Sequence, residues 1–467
     1  MDVIQIPFEN QIKPLHNIRT RTFFVLNDGL DEGLLKDGLD RLIQEHWRKL
    51  GSRIVHRPKD GRLEYHLPLA FDHKHELYRW SSRNDHRSLS EATPSLQGLA
   101  TEKTISILPS ISSVDELFRP ADWPLERKDE PPNAPLLFVH LTFFANATVV
   151  AISCPHVLAD QFGLANIVKA WLGVIEGKTP PPMIGHDEDV LAKRPYSDYP
   201  KREVFRKGKM RVRRRGEYMF VLLGFMSEFI FHRREESHMV FFPLPLVNFL
   251  RARHSKSLEE KYGTSPGLSS GDIISAILLK FSRMHDKKSR VMSLSQSANL
   301  RNRVPALSGG PASAFVHNAL IFPNARFPIN ASTSIGEIAY QNRKNVQEAL
   351  EQKNIEIDLA VIQETTRRGQ AIHTCEPFDR SYSVTNWCAA WRGLDFSAAT
   401  PRHEAKEQAK SSLFVLGHSN ETKTPARFSS VIMCRTDEGF WCSFAASTAA
   451  MKLIHEYLEK DPMLEKF

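Results

Sequence analysis

The chain has 467 residues, 41% of them hydrophobic and 25% charged, which places it far from disordered and low-complexity proteins. That length exceeds what one hydrophobic core usually serves, so two domains are expected. A net charge of +8 is modest, and no nucleic-acid-binding module or interleaving of basic and aromatic residues accompanies it, so nucleic acid is not an expected partner. The start, MDVIQIPFENQIKPLHN, lacks a basic stretch followed by a long apolar run, so no signal peptide is expected. Five cysteines (Cys154, Cys375, Cys388, Cys434, Cys442) form no C-x-x-C pair. Free buried thiols in a reducing, cytoplasmic compartment are the expectation.

In chain order, residues 34–50 place Leu35, Leu39, Leu42, Ile43 and Leu50 on one helical stripe, stopped by Gly51. RIVHRPKDGRLEYHLP then reads as a hairpin, because Asp-Gly suits tight turns. Residues 81–135 are polar and proline-studded, with short apolar pieces such as 105–108. Pro135 to Phe144 is a strand candidate, expected to pair with 148–153.

The stretch ATVVAISCPHVLADQFGLANIVKAWLGVIEGK (147–178) organises the rest. Val149 to Ile152 read as a buried strand, and Pro155 ends its ladder because proline supplies no N–H. His156 and Asp160 follow, four apart. Leu164, Ile167, Val168, Trp171, Leu172 and Ile175 fall at helical spacing, and Gly177 stops the helix. A histidine at the mouth of a strand–turn–helix unit can be aimed at a ligand by rigid elements, and the chemistry is expected there.

The loop 179–200 and the basic run KREVFRKGKMRVRRRGE (201–217) make the best domain boundary. The expected division is an N-terminal domain 1–185, a basic crossover linker 186–217 and a C-terminal domain 218–467. A charge block of this kind is expected to be solvated. The apolar segment YMFVLLGFMSEFIF (218–231) is shorter than the ~20 residues a membrane span needs, and Glu228 interrupts it. It is expected to be a core helix with no stable membrane insertion, an interfacial patch beside the basic run being the alternative. In the second half, strands are expected near 238–244, in MSLSQSANLRNRV, SYSVTNWCAA, SSLFVLGHS, RFSSVIMCRT and GFWCSFAAS. Helices are expected near 246–254, in DIISAILLKFSRMH, in 334–368 and at the C-terminus. No metal-ligand cluster is visible, so no metal is expected.

H-x-x-x-D alone is a weak pattern and occurs twice. The copy His56/Asp60 sits in the expected hairpin turn, where turn geometry explains both residues. The copy His156/Asp160 follows a buried strand and precedes a helix. G-L-S-S-G (267–271) matches a nucleophile elbow literally, but no buried strand precedes it. Ser269 with Asp272 is better read as a helix capping box. Cys154 is a poor nucleophile partner for His156, because their side chains point differently at a strand end.

Taken together, SCPHVLAD, LSSGDIISAILLK, SANLRNRVPAL followed by FVHNAL, and VTNWCAAWRGLDFSAAT resemble the BAHD acyltransferase family over nearly the whole chain, in a fungal-type form. The departures are Gln161 after the motif aspartate, His317 where a glycine precedes Asn318, and Ser397-Ala398-Ala399 where Asp395-Phe396 would continue as Gly-Trp-Gly. The resemblance implies two chloramphenicol acetyltransferase-like α/β domains, each a mixed β-sheet covered by helices, with a channel between them. It implies His156 as catalytic base, Trp387 and Thr385 as supports of the tetrahedral intermediate, and Asp160 paired with Arg301 as structural support of the site. Ser269 and Ser270 would contact acyl-CoA, a co-substrate rather than a bound cofactor.

The expected activity is transfer of an acyl group from acyl-CoA to a hydroxyl, or an amine, of a small specialised metabolite by a monomer, without an acyl-enzyme. An unperturbed histidine pKa of ~6.5 leaves His156 mostly neutral and able to take the proton. Two alternatives stand beside it: a condensation-type enzyme using a carrier-protein donor, and a non-catalytic homologue binding a ligand or partner.

Overall fold

A computed structural model describes residues 1–96, 102–286, 288–330, 332–401, 413–418 and 425–467. Parts of the polar stretch 81–135 and of the expected strand 411–419 lie outside the described residues. Among the described residues, two mixed sheets carry the architecture. The five-stranded sheet runs, edge to edge, Leu413–His418, Arg19–Leu26, Ala147–Pro155, Phe138–Phe144 and Arg79–Asn84. The seven-stranded sheet runs Asn324–Ile329, Arg290–Gln296, Arg380–Asn386, Ser429–Arg435, Gly439–Ser447, Glu235–Pro243 and Ser106–Leu108. A small antiparallel sheet of Asp2–Gln5, Leu63–Leu67 and Arg53–His56 contains the expected hairpin.

Each sheet takes an edge strand from across the boundary expected at 186–217. Ser106–Leu108 pairs with Glu235–Pro243 in the second sheet, and Leu413–His418 pairs with Arg19–Leu26 in the first. Short apolar pieces inside polar sequence thus become strands that stitch the halves together. The strand Ala147–Pro155 is buried along its whole length and pairs on both sides, with Arg19–Leu26 and Phe138–Phe144. Its continuous apolar run is what a strand covered on both faces requires. The helix Gln161–Ile175 packs back onto this sheet through Leu164, Ile167, Val168, Trp171 and Leu172, all buried. The first helix is shorter than its apolar stripe suggests. It spans Glu32–Arg41, widens by one turn over Leu42–His46 and closes with a tight turn at Arg48–Gly51, while all five stripe residues stay buried.

Two expectations are overturned. The basic run is solvated only in part: Lys201, Arg202, Lys207, Arg214 and Arg215 are exposed, but its centre is not. Arg211 and Arg213 are buried, and their guanidinium groups bond Glu376 at 2.7 and 3.3 Å. Arg206 bonds Asp358 at 2.5 Å and Lys209 bonds Glu348 at 3.0 Å. Carboxylates far along the chain line its path, and buried cations persist only where such partners exist. The apolar segment, in turn, is not a core helix. It forms Glu217–Phe231, of which only Val221, Phe225 and Glu228 are buried.

Candidate active site

His156 sits where the middle strand of the five-stranded sheet ends. Its backbone N–H donates to Ile18 O at 2.9 Å, which carries the pairing with the neighbouring strand one residue past Pro155. A turn over residues 156–158 then leads into Gln161–Ile175, whose N-cap is Asp160. The Asp160 Oδ1 accepts the Gly163 N–H at 2.8 Å, satisfying one of the free donors of the helix's first turn. Its Oδ2 accepts from Arg301 Nη1 at 3.0 Å and from the Ala319 N–H at 2.9 Å.

Arg301 also donates to the carbonyls of Phe315 and His317, at 3.2 and 2.6 Å, and to Asn299 Oδ1 at 3.0 Å. Asp160 and Arg301 are both buried, so each charge is compensated and fully hydrogen-bonded, the condition for a stable buried pair. A glycine lets the helix come this close. A Cβ on Gly163 would lie 1.8 Å from Val316 O, in the segment that supplies the carbonyls Arg301 holds.

His317 fills the place where the resemblance expects a glycine. Its Nδ1 lies 3.1 Å from Leu158 O, and its Nε2 lies 2.9 Å from Lys49 Nζ. Lys49 Nζ donates in addition to Gly185 O and His186 O, at 2.8 and 2.6 Å. Burial pushes His317 well below its ordinary value, with the Lys49 charge adding to the effect. Nε2 also lies 2.9 Å from Gly185 O, so both ring nitrogens face carbonyl oxygens and the single N–H of a neutral ring serves one of them, Leu158 O or Gly185 O. This places a second support under the turn between His156 and Asp160. The buried ammonium of Lys49 is itself pushed down to about 7 by burial, against the pull of the Glu188 and Asp187 charges.

A cavity of about 330 Å³ lies between the halves, lined from one side by Ile12, Thr20, His156 and Phe162 and from the other by Ser295, Thr385, Trp387 and Val431. His156 is half-buried. Its Nδ1 is buried without a hydrogen-bond partner among the described residues, and its carbonyl accepts from Asn318 Nδ2 at 3.0 Å. Burial lowers the imidazole below its ordinary 6.5, against the opposing pull of its own backbone, the Asp160 charge and Asn318. It is therefore neutral at pH 7, as proton acceptance requires.

Trp387 is buried at the end of the strand Arg380–Asn386. Its backbone N–H donates to Ile432 O at 2.9 Å, and its ring packs under Gly417 of the exchanged strand, where a Cβ would lie 3.0 Å from it. Thr385 Oγ1 lies 3.3 Å from Ser297 Oγ on the cavity wall. His156, Asp160, Thr385 and Trp387 all line one cavity, and Arg301 stands behind Asp160. Ser269 and Ser270 are not among the residues lining it. The Ser269 Oγ caps the helix Ser270–Ser282, accepting the Asp272 N–H at 3.2 Å in a capping box. The loop still abuts the cavity wall, since a Cβ on Gly271 would lie 2.9 Å from Asn386 Nδ2.

Sequence reasoning did not assign the hydroxyl-rich wall. Ser295 and Ser383 are register partners on parallel strands, and Ser381, Ser297 and Ser429 also line the cavity. The signal was present as period-two alternation of serine in MSLSQSAN and SYSVTN. Asn318 and the Lys49–His317 pair carried no local signal. The remnant Asp395-Phe396 serves packing: Phe396 is buried, its ring 5.6 Å from that of Phe24.

No family model matches the chain. The acetyltransferase adrJ of Penicillium rubens is 24% identical over 98% of this chain and 96% of its own length. The transcriptional regulator calD of Penicillium decumbens is 25% identical over 99% and 96%. Among solved structures, that of F. graminearum TRI101 complexed with coenzyme A and T-2 mycotoxin superposes with a TM-score of 0.68 at 14% identity, covering 98% of this chain and 97% of that one. Two mixed sheets with His156 on the cavity between them thus give the chain the fold of TRI101 over almost its full length, and a relative named an acetyltransferase matches it from end to end at 24% identity.

Proposed function

We propose that the chain moves an acyl group from acyl-CoA to a hydroxyl of a specialised metabolite, with His156 as general base. The observation that carries this reading is the neutral imidazole of His156 on a cavity shared by both halves, with its turn fixed by Asp160 and Arg301. Nδ1 is buried, so Nε2 is the nitrogen that meets the acceptor. Nε2 takes the hydroxyl proton as the oxygen attacks the thioester carbonyl. The tetrahedral intermediate then collapses with cleavage of the C–S bond, and the imidazolium returns its proton to the departing thiolate of coenzyme A. No acyl-enzyme is needed.

Base catalysis of this kind is worth about 10²–10⁴-fold, so the developing oxyanion also requires a donor. Thr385 and Trp387 are the groups of this wall suited to that task. Ser269 and Ser270 contact coenzyme A from the loop beside Asn386. The protein works as a monomer in the cytoplasm, an address that fits five cysteines without a disulfide.

The name of calD favours a second reading, a regulator without turnover. The intact His156 turn, with the aspartate's partner drawn from the opposite half, speaks for chemistry instead. Mass spectrometry of the purified chain with mixed acyl-CoAs and a hydroxylated metabolite extract tests this. Acylated products formed by the native chain and absent with His156→Ala are expected; no product and no thioester loss with any donor would overturn it. Acyl-carrier protein in place of acyl-CoA separates the condensation-type alternative.

A further inference from the structure

The helix Glu217–Phe231 is anchored firmly and yet leaves most of its apolar surface uncovered. On its inner face, Val221 and Phe225 are buried beside Cys375, and Phe225 and Phe229 stack edge-on against Phe428. Gly224 allows backbone contact, since a Cβ there would lie 2.4 Å from Asp379 O. The buried carboxylate of Glu228 bonds Arg380, Arg283 and His285 at 2.6, 2.7 and 3.2 Å. Glu228, His285 and Asp286 cluster as metal ligands would, but the two guanidinium groups already neutralise that charge. A helix held by such a cluster is not a loosely packed one.

Its outer face nevertheless exposes Met219, Phe220, Leu222, Leu223, Met226, Ile230 and Phe231, with Met219 64% and Phe231 76% accessible, and Phe378 extends the patch beside Phe220 at 64%. Monomeric soluble proteins rarely expose contiguous apolar surface of this kind without a use for it.

Charge decides what covers it. Exposed arginines flank the helix at both ends, Arg214 and Arg215 before it and Arg233 and Arg234 after it. The carboxylates within the helix are withdrawn: Glu217 is paired with Arg211 at 2.8 Å, and Glu228 is buried. Beyond the helix, the exposed Glu235 lies 3.9 Å from Arg427 and Glu236 lies 3.6 Å from His238. Pairing with a second copy would bring arginine against arginine in either the parallel or the antiparallel sense, which disfavours self-association. An anionic surface that accepts apolar side chains meets both features at once. No helix among the described residues is long and apolar enough to cross a membrane, and this one, about 22 Å long at 1.5 Å per residue, suits lying in the plane of a bilayer surface.

We propose that the outer face of Glu217–Phe231 docks this protein on an anionic lipid membrane, with Leu222, Leu223 and Ile230 entering the acyl boundary and the four flanking arginines on lipid headgroups. The same helix touches the cavity wall. The Tyr218 hydroxyl donates to Ala371 O at 2.7 Å, and its ring lies 5.3 Å from that of His373, a lining residue. Docking therefore sets the cavity beside the bilayer.

Flotation of the full chain with phosphatidylcholine vesicles containing about one-third phosphatidylserine tests the proposal. The native chain is expected to float with them. Leu222→Gln/Leu223→Gln/Ile230→Gln should lower the bound fraction about tenfold. Arg233→Glu/Arg234→Glu, or a rise to about 0.5 M salt, should lower it severalfold. The triple variant replaces exposed side chains, so its thermal melt and its turnover of a soluble acceptor should match the native chain. Absence of vesicle binding by the native chain, or equal binding by the triple variant, would overturn the proposal. So would a dimer in lipid-free buffer that the triple variant dissolves, since the face would then belong to a second copy.

Discussion

The two H-x-x-x-D copies of this chain are a built-in control. In the first, His56 is exposed at a strand end, its Nδ1 3.3 Å from Gly61 O. Asp60 is bonded by Arg57, three residues earlier, through Nε and Nη2 at 2.8 and 2.6 Å. In the second, the aspartate is buried and its guanidinium partner lies 141 residues away, in the other half. One aspartate closes its own turn; the other fastens a turn to a distant segment and so fixes a histidine on the cavity between them. What separates the two copies is the origin of the aspartate's partner, since their spacing is the same.

The sharpest way to break the comparison is to delete the base. His156→Ala should lower kcat/KM about 10³–10⁴-fold, at the upper end of what positioned bases supply, with circular dichroism unchanged. His56→Ala measured beside it should leave kcat/KM at the native value. Comparable losses in the two variants would mean that the cavity does not select between the copies.

Next in size is the support. Removing one partner of a buried ion pair leaves the other uncompensated, at about 3–5 kcal/mol. Arg301→Met and Asp160→Asn should each lose stability on that order in chemical denaturation, while Asp60→Asn, on the surface, should leave the midpoint unchanged. Gly163→Ala follows, since the new methyl group must displace Val316 O. Overpacking of this kind costs about 1–3 kcal/mol, and the shifted helix N-terminus should also lower kcat, because Asp160 belongs to that turn.

The pH dependence has a defined sign. Burial lowers His156 below 6.5, so the acid limb of kcat/KM should lie below pH 6.5. The Asp160 charge pulls the other way, and Asp160→Asn should therefore move that limb further down. His418 is pushed to about 4, by burial first and then by the Arg21 charge, against the pull of Asp115. A folded state that binds fewer protons than the unfolded one has stability that is complete above the ordinary 6.5 and lost as pH falls toward the folded value. Chemical denaturation at pH 7 and pH 4.5 should show that loss in the native chain and, reduced by the share of the missing ring, in His156→Ala.

What the sequence made legible, and what it did not, divides along chain distance. The strand–turn–helix around His156 could be read because every cue was local: a β-branched run, a proline, a capping aspartate and helical spacing. Trp387 and Thr385 could be placed only through resemblance, since their meeting with His156 depends on how two sheets face each other. The burial of Arg211 and Arg213 was misread because their partner, Glu376, lies more than 160 residues on, and a charge run looks solvated until its counter-charges are known. The helix Glu217–Phe231 was misread for the converse reason. Hydropathy reports a preference for leaving water, and a core is only one of the places that satisfies it.

The smallest expected effect concerns His317, and it separates support from chemistry. If the ring at 317 only steadies the turn through Leu158, His317→Asn should keep a donor there, lower kcat modestly and leave the acid limb where it is. Its partner Lys49 would lose the ring beside it but retain the carbonyls of Gly185 and His186, so the fold should tolerate the change better than it tolerates Arg301→Met. A shifted acid limb in His317→Asn would instead mean that the Lys49–His317 pair tunes the base itself, and that the second copy of the motif owes its activity to three elements rather than two.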